Sequence, residues 1–259
     1  MRNILKSDKK RNIAVIIMAA GKGTRMKDPS KVKVMYEVLG KPMIHYVVDL
    51  AYNLKADRVI VIVGYQREAV IQYITKSHPQ IEIAIQAEQL GTGHAIMQAE
   101  PVLHNYQGDV IVLSGDVPLL TAPSMERLMK HHVHTKAVAT ILTAHFDDPA
   151  GYGRIVRNED GSVKKIVEHK DATEEERSVN EINSGIYIFD SQKLFDSLKH
   201  ISPHNVQKEY YLTDVFEYFW KHQWRVSALQ ALDVDEIGGI NTKDQLKEAE
   251  SIQLARLHV

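Results

Sequence analysis

Along the first half of the chain, short β-rich apolar runs alternate with segments of helical period. The runs Ile13–Met18, Arg58–Val63, Ile81–Ile85, Asp109–Leu113 and Ala137–Thr143 are predicted strands. Met43–Leu54, Gln66–Thr75, Thr92–Ala99 and Pro123–His132 lie between them and are predicted helices. Strands alternating with helices imply βαβ units and a mostly parallel sheet, whose ligands collect at the carboxyl ends of the strands. The second half changes character. Tyr152–Arg157 and Val163–Glu168 flank Asn158-Glu159-Asp160-Gly161, and Asp-Gly between alternating runs is a hairpin signal. Glu181–Asp190 and Arg225–Leu229 read as strands, and Ser191–Lys199, Tyr210–His222 and Asn241–Arg256 as helices. The expected fold is α/β: a Rossmann-like, mostly parallel sheet flanked by helices, with a smaller β-rich lobe continuous with it. Residues 1–12 are expected to be a flexible extension to a single domain over 13–259, divided as 13–145, a lobe at 146–240 and a closing helix at 241–259.

Composition narrows the function classes. A length of 259 residues suits one large domain or a domain plus a small lobe. The net charge is -1, so no global field favours nucleic acid or an anionic membrane, and any polyanion site must be local. There is no cysteine, which removes disulfides, thiolate nucleophiles and cysteine-ligated zinc and fits a cytoplasmic protein. The apolar run Ile13–Ala20 is too short to span a bilayer. Basic residues before it imitate a secretory leader, but the run ends in Gly21-Lys22-Gly23-Thr24-Arg25 rather than a small-residue cleavage pattern.

Met18-Ala19-Ala20-Gly21-Lys22-Gly23-Thr24-Arg25-Met26 follows the first strand directly. Small residues let backbone N–H groups approach a phosphate or a base. The loop is neither a P-loop, because Gly23 follows Lys22 where serine or threonine is required, nor a full dinucleotide fingerprint, because Met26 stands at the third glycine. A plain strand-to-helix turn fits these residues as well as a phosphate site does. The neighbouring Lys22, Arg25, Lys27, Lys31 and Lys33 favour a triphosphate, although a solvated basic face has the same composition.

With these residues, Gly40-Lys41-Pro42-Met43 and an ordered series of further segments bring a resemblance into view. The segments are Gln86–Ala95, Ser114-Gly115-Asp116-Val117-Pro118-Leu119, Gly151–Ile155, Glu168–Ala172, Glu181–Gly185, Glu209–Asp214 and Gly239-Ile240-Asn241. Together they resemble the sugar-1-phosphate nucleotidyltransferase family. The match is to the uridylyltransferase domain of the bacterial bifunctional enzymes that make UDP-N-acetylglucosamine, and it runs from about Ile13 to Leu246. There are departures. The family's loop is followed by Pro-Lys; here Asp28-Pro29-Ser30-Lys31-Val32-Lys33 is one residue longer. Counting back from Gly40 favours Lys33 as the phosphate lysine; counting forward lands on Val32 and leaves Lys31 open. Ser114 stands where the family often has tyrosine. No hexapeptide repeats occur, so acetyl transfer is not expected.

The resemblance implies a site. Arg25 and Lys33 would be the catalytic cations, and Met18, Ala19, Ala20, Gly21, Gln86, Gly91 and Thr92 would bind nucleotide. Gly153, Glu168 and Asn183 would hold the sugar, and Asp116 and Asn241 would hold Mg²⁺. The residue types suit these tasks. A carboxamide offers a donor and an acceptor to a base edge, and Mg²⁺ prefers a few hard oxygens. Each also has a structural reading: Asp116 as a turn cap, Asn241 as an N-cap, Thr92 as a helix cap, Gln86 as a polar strand end and Glu168 as a surface ion pair. His131, His132 and His134 read as a solvated helix end, since no carboxylate stands at metal-binding spacing. The implied partners are UTP and a sugar-1-phosphate, with neither nucleic acid nor membrane. Rival readings are a transferase for glucose-1-phosphate or for CTP or GTP, and a silent regulatory subunit that binds nucleotide sugars.

Overall fold

The computed structural model describes residues 11–23, 26 and 31–257. In chain order its strands are β1 (Ile13–Ala19), β2 (Glu37–Val38), β3 (Lys41–Pro42), β4 (Arg58–Val63), β5 (Glu82–Ile85), β6 (Asp109–Ser114) and β7 (Ala139–His145). The remaining strands are β8 (Gly153–Arg157), β9 (Val163–Val167), β10 (Glu181–Asp190) and β11 (Val226–Gln230). The helices are α1 (Met43–Asn53), α2 (Arg67–Ser77), α3 (Thr92–Met97), α4 (Ala122–Thr135), α5 (Glu174–Arg177), α6 (Ser191–Leu198), α7 (Val215–Lys221) and α8 (Lys243–Leu257).

One sheet carries both halves of the chain, in the order β11-β7-β10-β6-β1-β4-β5, with β8 paired to β10 and β9 to β8. β1 lies parallel to both β4 and β6, and β4 to β5. β10 is antiparallel to β6, β7 and β8, and β9 is antiparallel to β8. The dense apolar runs are explained by burial on two faces. In β1, Val15 and Ile17 face the core under α1, α2 and α4, while Ala14 and Ile16 face a second core under α3, α6 and α7. Because β1, β5 and β6 share one direction, the segments after Ala19, Ile85 and Ser114 emerge at the same edge.

The hairpin forms as its Asp-Gly signal predicts, with Gly161 at φ +80° and the Asn158 N–H on the Ser162 carbonyl at 2.9 Å. Four expectations are corrected. The helix expected over Tyr210–His222 starts only at Val215, after a 3-10 turn at Leu212–Asp214. Tyr210 is held extended because its N–H bonds the Leu90 carbonyl and its carbonyl accepts the Gly93 N–H, ties that no local pattern reveals. His132 is not solvated: it is 1% exposed, with Nδ1 2.7 Å from the Thr140 hydroxyl and Nε2 3.5 Å from Asp109. It shares the buried face of α4 with Met125 and Leu128, at helical spacing, and its carboxylate comes from a distant strand. Arg11 and Asn12 are docked rather than loose: Arg11 pairs with Asp109 at 2.9 Å, and the Asn12 carbonyl accepts the Asp109 N–H at 2.9 Å. Finally, Thr92 does not cap α3: Gly91 occupies that cap position, and the Thr92 hydroxyl accepts the Leu212 N–H at 3.0 Å.

Candidate active site

Two cavities open side by side at the carboxyl edge of β1, β5 and β6. The first, of about 280 Å³, is lined by Met18 and Ala19 at the end of β1, Ala20 and Gly21 after it, Gln86 after β5, and Gly91, Thr92 and Lys33. The second, of about 360 Å³, is lined by Gly153 of β8, Glu168 after β9, Asn183 of β10 and Asn241 before α8. Met18, Thr92, Ser114 and Asp116 line both, so Asp116 stands at their junction. Arg25 lies outside the described residues.

Lys33 reaches the junction because the chain is turned there. A 3-10 turn at Lys33–Met35 follows Val32, which is 2% exposed, and buries Val34. Burying these two valines directs the lysine between them toward the sheet edge. Gly23 makes room: at φ +62°, a Cβ on it would stand 2.5 Å from the Lys33 Cβ. Lys33 Nζ donates to Asn241 Oδ1 at 2.7 Å and forms an ion pair with Asp116 Oδ2. Lys31 points elsewhere, to Glu37 at 3.3 Å and over the Tyr36 ring. Burial acts to raise the Asp116 carboxyl pKa, but the Lys33 ammonium and the Ser114 hydroxyl outweigh it and hold the group below its ordinary value. Asn241 is brought alongside by the Ile240 N–H, which bonds the Asp116 carbonyl at 3.0 Å. Asn241 does not cap α8. Thr242 does, taking the Gln245 N–H at 3.2 Å while Gln245 Oε1 takes the Thr242 N–H at 3.1 Å, a reciprocal capping box.

In the second cavity, β10 is irregular between Asn183 and Tyr187, and Asn183, Ser184 and Gly185 line the cavity there. Asn183 Nδ2 donates to the Tyr187 hydroxyl at 2.7 Å. Glu168 is not a surface ion pair. Its Oε1 accepts from the Thr213 hydroxyl at 2.9 Å, and Oε2 lies 3.6 Å from where a Cβ on Gly153 would be. Burial raises the pKa of this carboxyl against the Thr213 hydrogen bond, with Asp171 and Glu209 adding to the rise. Thr213, Tyr187 and Ser114 are site residues that the sequence reading left without roles. Thr213 and Ser114 lie inside quoted motifs, but only the fold shows which atoms they hold.

Asp116 and Asn241 fit a bound Mg²⁺. Both present hard oxygens, and the two oxygens converge on a single cationic point, the Lys33 ammonium. Among the described residues no group of three or more His, Cys, Asp or Glu side chains forms a metal cluster, and no helix is long and apolar enough to cross a membrane.

A carboxylate and an amide bridged by a lysine stand where two cavities meet on one sheet edge, an arrangement that suits transfer of a nucleotidyl group. The nucleotidyl transferase family model matches residues 14–241, and the chain belongs to that family. Among its relatives is the bifunctional protein GlmU of Geobacillus thermodenitrificans, 51% identical over 93% of this chain and 52% of the relative. GlmU of Bacillus cereus (strain G9842) is 48% identical over 95% of this chain and 53% of the relative. The chain thus spans about half the length of these curated relatives. In structure it is similar to a UDP-glucose pyrophosphorylase solved with UDP-glucose, with a TM-score of 0.73 over 95% of this chain and 99% of the other. At 18% identity that likeness speaks to the fold.

Proposed function

We propose that this nucleotidyltransferase transfers UMP from UTP to N-acetylglucosamine-1-phosphate, giving UDP-N-acetylglucosamine and pyrophosphate. One observation carries the reading: Asp116, bridged by Lys33 to Asn241, stands where the glycine-loop cavity meets the cavity of Gly153, Glu168 and Asn183. A phosphorus atom shared by two substrates belongs at such a junction. The GlmU likeness supports the uridine and N-acetylglucosamine assignments over the rival sugars and bases. A silent regulator would have no need of the Lys33–Asp116–Asn241 cluster.

In this reading the sugar-phosphate oxygen attacks the α-phosphorus of UTP as the bond from that phosphorus to the pyrophosphate breaks, and the pyrophosphate leaves with the electron pair. The nucleophile is already an anion, so no general base is required and catalysis rests on positioning and charge stabilisation. Met18 to Gly21 line the phosphates, and Gln86, Gly91 and Thr92 face the uracil. Arg25 and Lys33 neutralise the departing pyrophosphate. Gly153, Glu168 and Asn183 hold the sugar hydroxyls and the N-acetyl group. Asp116 and Asn241 hold Mg²⁺, which when bound supplies positive charge to the phosphate oxygens. A cytoplasmic location is part of the proposal.

Pyrophosphate release, measured with four nucleoside triphosphates against several sugar-1-phosphates, tests the reading. UTP with N-acetylglucosamine-1-phosphate should give the highest kcat/KM, at least about tenfold above UTP with glucose-1-phosphate. Equal rates would remove the named product, and no release from any pair would remove the reaction.

A further inference from the structure

Gln86 is 3% exposed, and the direction of its carboxamide decides what a base would meet. Its Nε2 lies 3.0 Å from the Gly91 carbonyl oxygen and 3.1 Å from Nδ1 of His94. An amide nitrogen has two N–H groups, so both are taken. Oε1 has no hydrogen-bond partner among the described residues and is the end left for the cavity. A lone carbonyl oxygen accepts. Uracil presents an N–H at N3, whereas cytosine presents a lone pair there, so this orientation favours one pyrimidine and opposes the other.

The Gly91 carbonyl alone is a single constraint on a group that can rotate by half a turn. His94 is the second. We infer that His94 is a positioning residue for base selection: by accepting one N–H of Gln86 it fixes the carbonyl of that amide toward the base. The inference rests on the reading of Gln86 as a uracil-facing group.

The fold fixes His94 well enough for this task. It lies in the first turn of α3, which is pinned where the Gly93 N–H meets the Tyr210 carbonyl at 2.7 Å. Gly91 permits that approach, since at φ +111° a Cβ there would stand 2.5 Å from the same carbonyl oxygen. The Tyr210 ring leans on the imidazole with centroids 6.3 Å apart. On the other side, Gln98 Nε2 lies 3.3 Å from His94 Nε2 and 2.9 Å from the His94 carbonyl oxygen. A neutral imidazole accepts at only one nitrogen. Gln86 is buried and Gln98 is half-exposed, so leaving Gln86 unpaired costs more, and Nδ1 is the accepting nitrogen. Gln98 can turn its amide toward solvent.

The test is the ratio of kcat/KM for UTP over CTP, with binding of each triphosphate measured directly where turnover is too slow. His94→Ala should lower the ratio at least about tenfold, the loss expected when one polar contact no longer discriminates. His94→Gln fills the space but puts its acceptor where Nε2 stands, and should lower the ratio similarly. His94→Asn places an oxygen near the Nδ1 position and should keep the ratio within about threefold. Gln86→Ala should abolish the preference. An unchanged ratio in folded His94→Ala and His94→Gln, with the ratio lost in Gln86→Ala, would overturn the role of His94 and leave Gln86 as the reader. An unchanged ratio in Gln86→Ala would remove the base-reading assignment itself. Melting curves identify any variant that fails to fold, and the ratio in the other His94 variants then decides.

Discussion

At the scale of single residues, the site depends on which lysine turns inward. Lys31 and Lys33 are separated only by Val32, yet one pairs with an exposed glutamate and the other with Asp116 and Asn241. Lys33→Ala should lower kcat/KM by roughly 10²–10³-fold, the range for removing one positioned charge from a transferring phosphate. Lys31→Ala should leave it within about threefold, since exposed ion pairs contribute little. A steady-state assay of the two variants decides, and the reverse order would contradict the assignment. Ser114 belongs to the same cluster. Its hydroxyl donates to Asp116 Oδ1 at 2.6 Å, which leaves Oδ2 for the cation. The sequence flagged Ser114 as a departure but could not show that it holds the Asp116 carboxylate, because the contact depends on the turn after β6.

At the scale of elements, two ends deserve tests. The capping box at Thr242 and Gln245 starts α8 and releases Asn241 to face Lys33. Thr242→Ala should destabilise the protein by about 1 kcal/mol, seen as a fall in Tm of about 2–4 °C. The same variant should weaken activity through Asn241, whereas Lys243→Ala, one residue on, should not. The second is the turn before α7. Asp214 there titrates at about 6, raised first by burial and then by Glu168, Glu217 and Asp171. A carboxyl whose pKa is raised by folding binds its proton more tightly when folded. Its contribution to stability is therefore complete below the ordinary carboxylate value and is lost as pH rises through about 6. Discounted for partial exposure, the cost of ionisation is about 1 kcal/mol. Asp214→Asn should accordingly raise Tm by about 2–4 °C at pH 7.5 and make little difference near pH 4. A thermal scan at both values checks the sign.

At the scale of the whole molecule, β10 connects everything. It pairs with β7 on both sides of its bulge, with β6 over Tyr187–Asp190 and with β8 at its start, so the β8–β9 hairpin hangs from the same sheet as the glycine loop. We therefore expect one cooperative thermal transition, with Trp220 and Trp224 fluorescence coinciding with far-ultraviolet circular dichroism. Two separated transitions would show that the lobe folds independently. Excess EDTA should abolish pyrophosphate release without lowering the Tm of the nucleotide-free protein. The cores on the two faces of the sheet are built from apolar side chains, whereas the proposed Mg²⁺ would supply charge at Asp116 and Asn241. Full activity in EDTA would refute the metal assignment.

Local pattern was enough for most of the strands, because buried strands such as Arg58–Val63 and Asp109–Ser114 must be largely apolar wherever they are placed. The ordered motifs were enough to propose candidate site residues, since each chemistry admits few residue types. Local pattern failed where distant main chain decides conformation. Tyr210 falls in a segment of helical period yet is held out of the helix by its bonds to Leu90 and Gly93, and His132 is buried against a strand that only the fold brings near. Likewise, two lysines of equal charge and nearly equal position cannot be told apart until the turn at Lys33–Met35 buries its valines. The sequence by itself determined the strands, the class of chemistry and the candidate groups. The tertiary structure alone decided which atoms face each other, because those contacts join residues far apart in the chain, as Lys33 and Asn241 are.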